Sequence, residues 1–285
     1  MTWNVEIVDG VVRVGRMQGE GQGNVLFIPG RGDSLELREE VCRRIAHHAA
    51  AVVMVELRGQ GGSGRLGRHP DAVHIDDFEQ YLRDVETAIQ GLDELHLVAH
   101  SMGGLLGAHM LGREPDRFIS AAISSPMWRF TQPLAVVRPL AAAACAVGLR
   151  TSFAAGEGPF DVSTCVEMRT GRTGLTPDGE LERFVANSPD LVRGGSTWGW
   201  VAAAARSMAR LDDVALERFD GPLLVGSCRA DRTVSLSAHQ RIASRFPRGR
   251  VIDLDGGHDP FSSDGAVEWY SAIEGMLKGD PAWSC

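Results

Sequence analysis

LHLVAHSMGGLLGAHM, residues 95–110, decides the fold. The apolar run 95–100 reads as a buried strand and the run of small and leucine residues after Met102 as a helix, with only Ser101 between them. A strand that passes into a helix through one serine is a nucleophile elbow. Its tight turn strains the serine backbone, lifts the hydroxyl above the end of the sheet and leaves a helix N-terminus beneath it. Strand and helix backbones run close together there, so small residues are expected two places before and two after the serine. Ala99 and Gly103 meet that demand, Ala99 standing where glycine is more usual.

Outward from the elbow the chain alternates strands and helices. Val5–Val8 and Val11–Val14 alternate around Asp9-Gly10, a hairpin signal. NVLFIPG (24–30) reads as a strand, and Ser34 as the N-cap of a helix over LELREEVCRRIAHHAA (35–50). AVVMVELRG (51–59) is continuous and β-branched, as a buried parallel strand requires, and a glycine-rich loop follows from Gly59 to Gly67. Asp76 to Gln90 reads as an amphipathic helix, and FISAAISSP (118–126) as a strand. GPLLVGSC (221–228) and RVIDLDG (250–256) are later strands, with helices over Ser237–Arg245 and Ala266–Lys278. This rhythm predicts an α/β fold with a mostly parallel sheet flanked by helices. Between 126 and 219 it gives way to alanine-rich, proline-punctuated helical segments. The expected organisation is a core of residues 1–125 and 220–285 with a helical cap, 126–219, inserted between sheet strands.

Composition narrows the class. The 285 residues, 44% hydrophobic and 23% charged, suffice for one such domain. A net charge of −8 and the absence of a basic run argue against nucleic acid as a partner. Cys42, Cys145, Cys165, Cys228 and Cys285 show neither a C-x-x-C pair nor zinc-ligand spacing, so reduced thiols are expected, with no metal and no cofactor. Residues 1–21 lack a basic segment followed by an apolar core, which makes the cytoplasm the expected compartment. Arg138 and Pro139 interrupt the low-polarity stretch 133–150, leaving it too short to cross a bilayer; transient contact with a membrane surface is its expected limit.

A serine hydroxyl needs a neutral imidazole to take its proton and a carboxylate to orient that imidazole. In chain order both should follow the serine, in loops at the C-terminal ends of later strands. Asp231 lies just past the strand 221–228, and His258 in a glycine-flanked loop after the last strand. Ser101, Asp231 and His258 are therefore the expected triad, with Asp255 a candidate second acid. His100 precedes the serine on the strand, so its side chain should point away from the nucleophile. The tetrahedral oxyanion would be met by the backbone N–H of Met102 and that of Arg31, in the loop after the third strand. The Arg31 side chain has open readings: it binds a substrate anion, it pairs with a carboxylate of the protein, or it is a solvated arginine.

IPGRGDS, VELRGQGGSGR, AHSMGG, GGSTWGWV, ADRTVS and GGHDPF, spread over residues 28 to 261, together resemble the serine-aminopeptidase-like branch of the α/β hydrolases, which includes bacterial lysophospholipases and monoacylglycerol lipases. Pro29 replaces the histidine usual in that branch. The resemblance implies an α/β-hydrolase fold, the same triad and the same oxyanion amides. It also implies a lysophospholipid or monoacylglycerol-like ester as substrate, with Gly30, Trp198 and Trp200 facing it. Trp198 and Trp200 read equally well as cap-core residues, and RGQGGSGR as a loop shaped beside the site without chemistry. Small soluble esters, a proline-type aminopeptidase substrate and a non-catalytic ligand-binding role are the alternatives.

Overall fold

The computed structural model describes residues 1–171 and 179–280; Cys285 lies outside them. The chain opens with a hairpin of β1 (Asn4–Val8) and β2 (Val12–Gln18), turned at Asp9 and Gly10 with positive φ at both, 50° and 71°. Then follow β3 (Asn24–Ile28), α1 (Glu39–Ala46), β4 (Ala51–Glu56), α2 (Glu79–Ala88), β5 (Leu95–His100), α3 (Met102–Arg113) and β6 (Phe118–Ser124). Between β6 and the next strand lie α4 (Leu134–Ala146), α5 (Val162–Thr170), α6 (Glu180–Asn187) and α7 (Trp198–Arg210). The chain returns to the sheet through β7 (Leu223–Cys228), α8 (Leu236–Ala243), β8 (Gly249–Leu254) and α9 (Ala266–Leu277).

Among the described residues eight strands form one sheet in the order β1-β2-β4-β3-β5-β6-β7-β8, parallel from β4 onward and antiparallel at β1 and β2. This is the α/β-hydrolase arrangement that the resemblance implied. Because side chains alternate along a strand, Val25 and Phe27 pack below the sheet with Ile45 of α1 and Trp269 of α9. Leu26 and Ile28 pack above it with Val85 of α2 and Leu105 of α3. Such double coverage explains why the parallel strands read as unbroken apolar runs.

One helix departs from its expected bounds. α1 begins at Glu39, not at Leu35, and Ser34 instead closes the preceding turn, its Oγ accepting from the Leu37 N–H at 3.2 Å. The Leu35 N–H is taken by the buried Glu56 carboxylate at 2.8 Å, and the Leu35 carbonyl by Trp3 Nε1 at 3.0 Å. Long-range partners thus take both backbone groups of Leu35, and of the helical bonds across this turn the Arg38 N–H makes one, to the Ser34 carbonyl at 3.1 Å. Cys42 and Cys228 are buried free thiols, Cys145 and Cys165 partly exposed ones. Among the described residues no helix is long and apolar enough to cross a membrane.

Candidate active site

The parallel strands end on one side, and three of those ends carry the expected triad. Ser101 follows β5, Asp231 follows β7 and His258 follows β8. Ser101 has φ 51° and ψ −116°, a conformation that side chains ordinarily avoid. It is pinned on both sides: its N–H donates to the Ser124 carbonyl and its own carbonyl accepts from Met127 and Gly104, each at 2.9 Å. A Cβ on Gly103 would stand 2.1 Å from the Ile28 carbonyl oxygen. The demand for a small residue after the serine therefore comes from the end of β3, pressed against the start of α3.

The Ser101 hydroxyl donates to His258 Nε2 at 2.7 Å, and His258 Nδ1–H donates to Asp231 Oδ2 at 2.8 Å. The other Asp231 oxygen accepts from the Thr233 N–H at 2.7 Å. Burial by itself would raise the Asp231 pKa, but the hydrogen bond and charge of His258 and the Thr233 and Val234 amides hold it below the ordinary carboxylate range. An ionised Asp231 accepts only, so the imidazole proton sits on Nδ1 and Nε2 is the lone-pair side facing the serine.

His100 does not reach Ser101. Its Nδ1 pairs with Ser124 Oγ at 3.1 Å, and its ring lies 5.1 Å from that of His258. Burial pushes its pKa down to about 3, so it packs against the His258 ring as a neutral group. Asp255 lies away from the site, exposed and paired with Arg229 at 2.8 Å. The acid buried beside His258 is instead Asp259, which no local pattern singles out.

Asp259 belongs to a buried ring of four charges. Arg38 contacts Asp33 at 2.9 Å and Asp259 at 2.8 Å, while Arg169 contacts Asp33 at 2.6 Å and Asp259 at 2.9 Å. Burial opposes ionisation of every member, yet the opposite charges hold both carboxyls well below and both guanidinium groups above their ordinary ranges. Asp33 also accepts from the Gly30 N–H at 2.8 Å, which fixes the loop that carries the Arg31 amide. Among the described residues neither the Arg31 nor the Met102 backbone N–H has a hydrogen-bond partner. Both N–H groups are thus open to an acceptor from outside the chain.

A cavity of about 440 Å³ opens over Ser101 and His258. Gly30 and Arg31 line it from the core; Met127, Phe130, Leu140, Trp198 and Trp200 line it from the segment 126–219. Trp200 faces the cavity and is also core, being 3% exposed and edge-on to Phe78 at 5.5 Å. The Arg31 guanidinium bonds Ser196 Oγ at 2.8 Å and Glu157 at 3.1 Å, and stands over the Trp200 ring at 5.8 Å, so this half-buried side chain pairs with a carboxylate of the protein. In RGQGGSGR, Arg58 forks onto Asp84 and the Gln60 amide oxygen accepts from Gly32, ties that shape the loop beside the site.

A family model described as serine aminopeptidase, S33, matches residues 19–257. The chain is 28% identical over 263 residues to lysophospholipase L2 of Escherichia coli K12, covering 85% of this chain and 74% of that protein. Its fold is similar to that of Paleococcus ferrophilus monoacylglycerol lipase, with TM-score 0.70 and 19% identity over 94% of this chain and 98% of that one. A soluble variant of Saccharomyces cerevisiae monoglyceride lipase is likewise similar, with TM-score 0.71 and 16% identity over 98% and 94%.

Proposed function

We propose that this chain, which belongs to the serine aminopeptidase (S33) family of α/β hydrolases, cleaves lipid carboxylic esters of lysophospholipid or monoacylglycerol type through an acyl-enzyme on Ser101. The observation that carries this reading is the hydrogen-bonded run Asp231–His258–Ser101 at the floor of a largely apolar cavity.

Each group has a definite task. His258 Nε2 takes the Ser101 proton as Oγ bonds to the ester carbonyl carbon, and the carbonyl oxygen becomes an oxyanion held by the Arg31 and Met102 amides. Asp231 stabilises the imidazolium formed in that step. The tetrahedral intermediate collapses as the C–O bond to the alcohol breaks and Nε2–H protonates the leaving oxygen. Water then repeats the sequence on the acyl-enzyme, with His258 again accepting and returning one proton.

The cavity walls favour an acyl chain. Segment 126–219 acts as the cap, and Met127, Phe130, Leu140 and Trp198 supply aliphatic and aromatic contact. An aminopeptidase would need an uncommitted acid to bind the substrate ammonium. Asp33 and Glu157 are the carboxylates lining the cavity among the described residues, and both are engaged: Asp33 in the buried ring, Glu157 with Arg31 and the Ser196 N–H at 3.0 Å. The relatives named lysophospholipase and monoacylglycerol lipase support the same choice.

Labelling with a fluorophosphonate probe, followed by an ester panel varied in acyl length and head group, tests the proposal. Wild type should be labelled and Ser101→Ala should not; a folded wild type that resists the probe would point to a ligand-binding role without turnover.

A further inference from the structure

A helix ends with backbone carbonyls that its own turns cannot satisfy. At the C-terminus of α5 the Glu167 carbonyl accepts from Gly171, which adopts φ 73°. The next carbonyls all turn to the loop that bears His258. Met168 accepts from the His258 N–H at 3.0 Å, Arg169 from Asp259 at 3.0 Å and Thr170 from Gly257 at 3.2 Å. The fit is close enough that a Cβ on Gly257 would stand 2.3 Å from the Gly171 nitrogen. Arg169 adds the side-chain tie, bridging Asp259 to Asp33 from within the same helix end. Three pieces of chain remote in sequence meet there: the stretch from the oxyanion loop to the start of α1 through Asp33 and Arg38, the cap through Arg169, and the base loop through Asp259.

We propose that Arg169, a cap residue outside the triad, is a positioning residue for the catalytic base. Through Asp259 it sets the height of the His258 loop, and through Asp33 it sets the loop of the oxyanion amides, so that both halves of the site keep register with the cap. This rests on the proposed role of Ser101, His258 and the two amides. The physical reason is geometric: loops take their shape from the partners that satisfy them, and an error of about 1 Å between base and nucleophile is worth roughly 100-fold in rate. A guanidinium suits the task because its planar fork reaches two carboxylates at fixed separation, which an ammonium does not.

The test separates positioning from support of the fold. Arg169→Met leaves two carboxylates facing one cation, whereas Arg169→Met combined with Asp259→Asn leaves Arg38 and Asp33 as a balanced pair. The readouts are thermal unfolding, kcat and KM on a short-chain p-nitrophenyl ester, and the rate of fluorophosphonate labelling. Arg169→Met should lower the unfolding midpoint and reduce kcat and labelling about 100-fold, with KM changed less than about 3-fold. The double variant should regain most of the midpoint while kcat stays low, and Arg169→Lys should fall between wild type and Arg169→Met in kcat. The proposal fails if kcat recovers along with the midpoint in the double variant, or if folded Arg169→Met or Arg169→Lys keeps wild-type kcat. If Arg169→Met does not fold, the double variant and Arg169→Lys decide. A wild type that the probe does not label instead refutes the hydrolase reading itself.

Discussion

Ser101 is held in a backbone conformation that suits glycine, so stability and catalysis should pull in opposite directions at this residue. Its φ of 51° and ψ of −116° lie close to the first central position of a type II′ turn, which glycine enters freely and other residues enter under strain. Ser101→Ala and Ser101→Gly both remove the hydroxyl that donates to His258, so that loss cancels when they are compared. What remains is the strain, roughly 1–3 kcal/mol for a side chain in such a region. Opposing it is the greater freedom of glycine in the unfolded chain, about 0.5–1 kcal/mol. The glycine variant should therefore be the more stable of the two by about 1 kcal/mol. At roughly 2.1 cal/mol/K per residue, 285 residues have an unfolding entropy near 0.6 kcal/mol/K, so the midpoints should differ by about 2 °C. Paired calorimetric scans at one pH and one protein concentration resolve that, and both variants should be inactive on esters. If Ser101→Ala melts at or above Ser101→Gly, the elbow is not strained in the way its dihedral angles imply.

Two more outcomes follow from the same structure. Gly103→Ala sets a Cβ against the Ile28 carbonyl at 2.1 Å, and because the obstacle is backbone the end of β3 must yield. The variant should lose at least about 2 kcal/mol of stability and most of its esterase activity, and a denaturant midpoint equal to wild type would contradict the close approach. Burial holds the pKa values of His100, His109 and His239 down to about 3, 4 and 4, against about 6.5 when exposed. All three imidazoles stay neutral in the fold and take up protons on unfolding. Their contribution is complete above about pH 6.5 and is lost as pH falls through the folded values, so the midpoint should decline steadily from pH 6.5 toward 4. Constant stability from pH 7 down to 4.5 in a denaturant series would exclude that.

What the sequence made legible, and what it did not, divides along a physical line. The elbow, the sheet rhythm and the placing of Asp231 and His258 rest on local signals: apolar runs, one punctuating serine, and loops that follow strands. Those signals survive without tertiary knowledge, and the hydrogen-bonded run Asp231–His258–Ser101 lies where they pointed. The start of α1 differs from the sequence reading because the N–H and carbonyl of Leu35 are claimed by Glu56 and Trp3, partners that no local pattern displays. Alternation along β5 predicts a His100 side chain pointing away from Ser101; it makes no bond to the serine, but it lines the same cavity with its ring 5.1 Å from that of His258. Asp255 and Asp259 look equivalent in LDGGHDPF, and only the arrival of Arg38 and Arg169 from elsewhere makes one a buried anchor while the other pairs with Arg229 at the surface. A lone buried arginine within a cap helix carries no signature in one sequence.

The four-charge ring also limits what can be exchanged between relatives. Its two cations and two anions come from Asp33, Arg38, Arg169 and Asp259, in three stretches of chain, and its net charge is zero only as a complete set. A cap grafted from a relative without an arginine at the end of α5 would leave the recipient with an uncompensated buried carboxylate, a defect of several kcal/mol. A chimera that moves 126–219 alone therefore has a different prospect from one that also carries Asp33, Arg38 and Asp259. An exchange that is to keep the ring balanced has to take in residues on both sides of it, not the 126–219 segment alone.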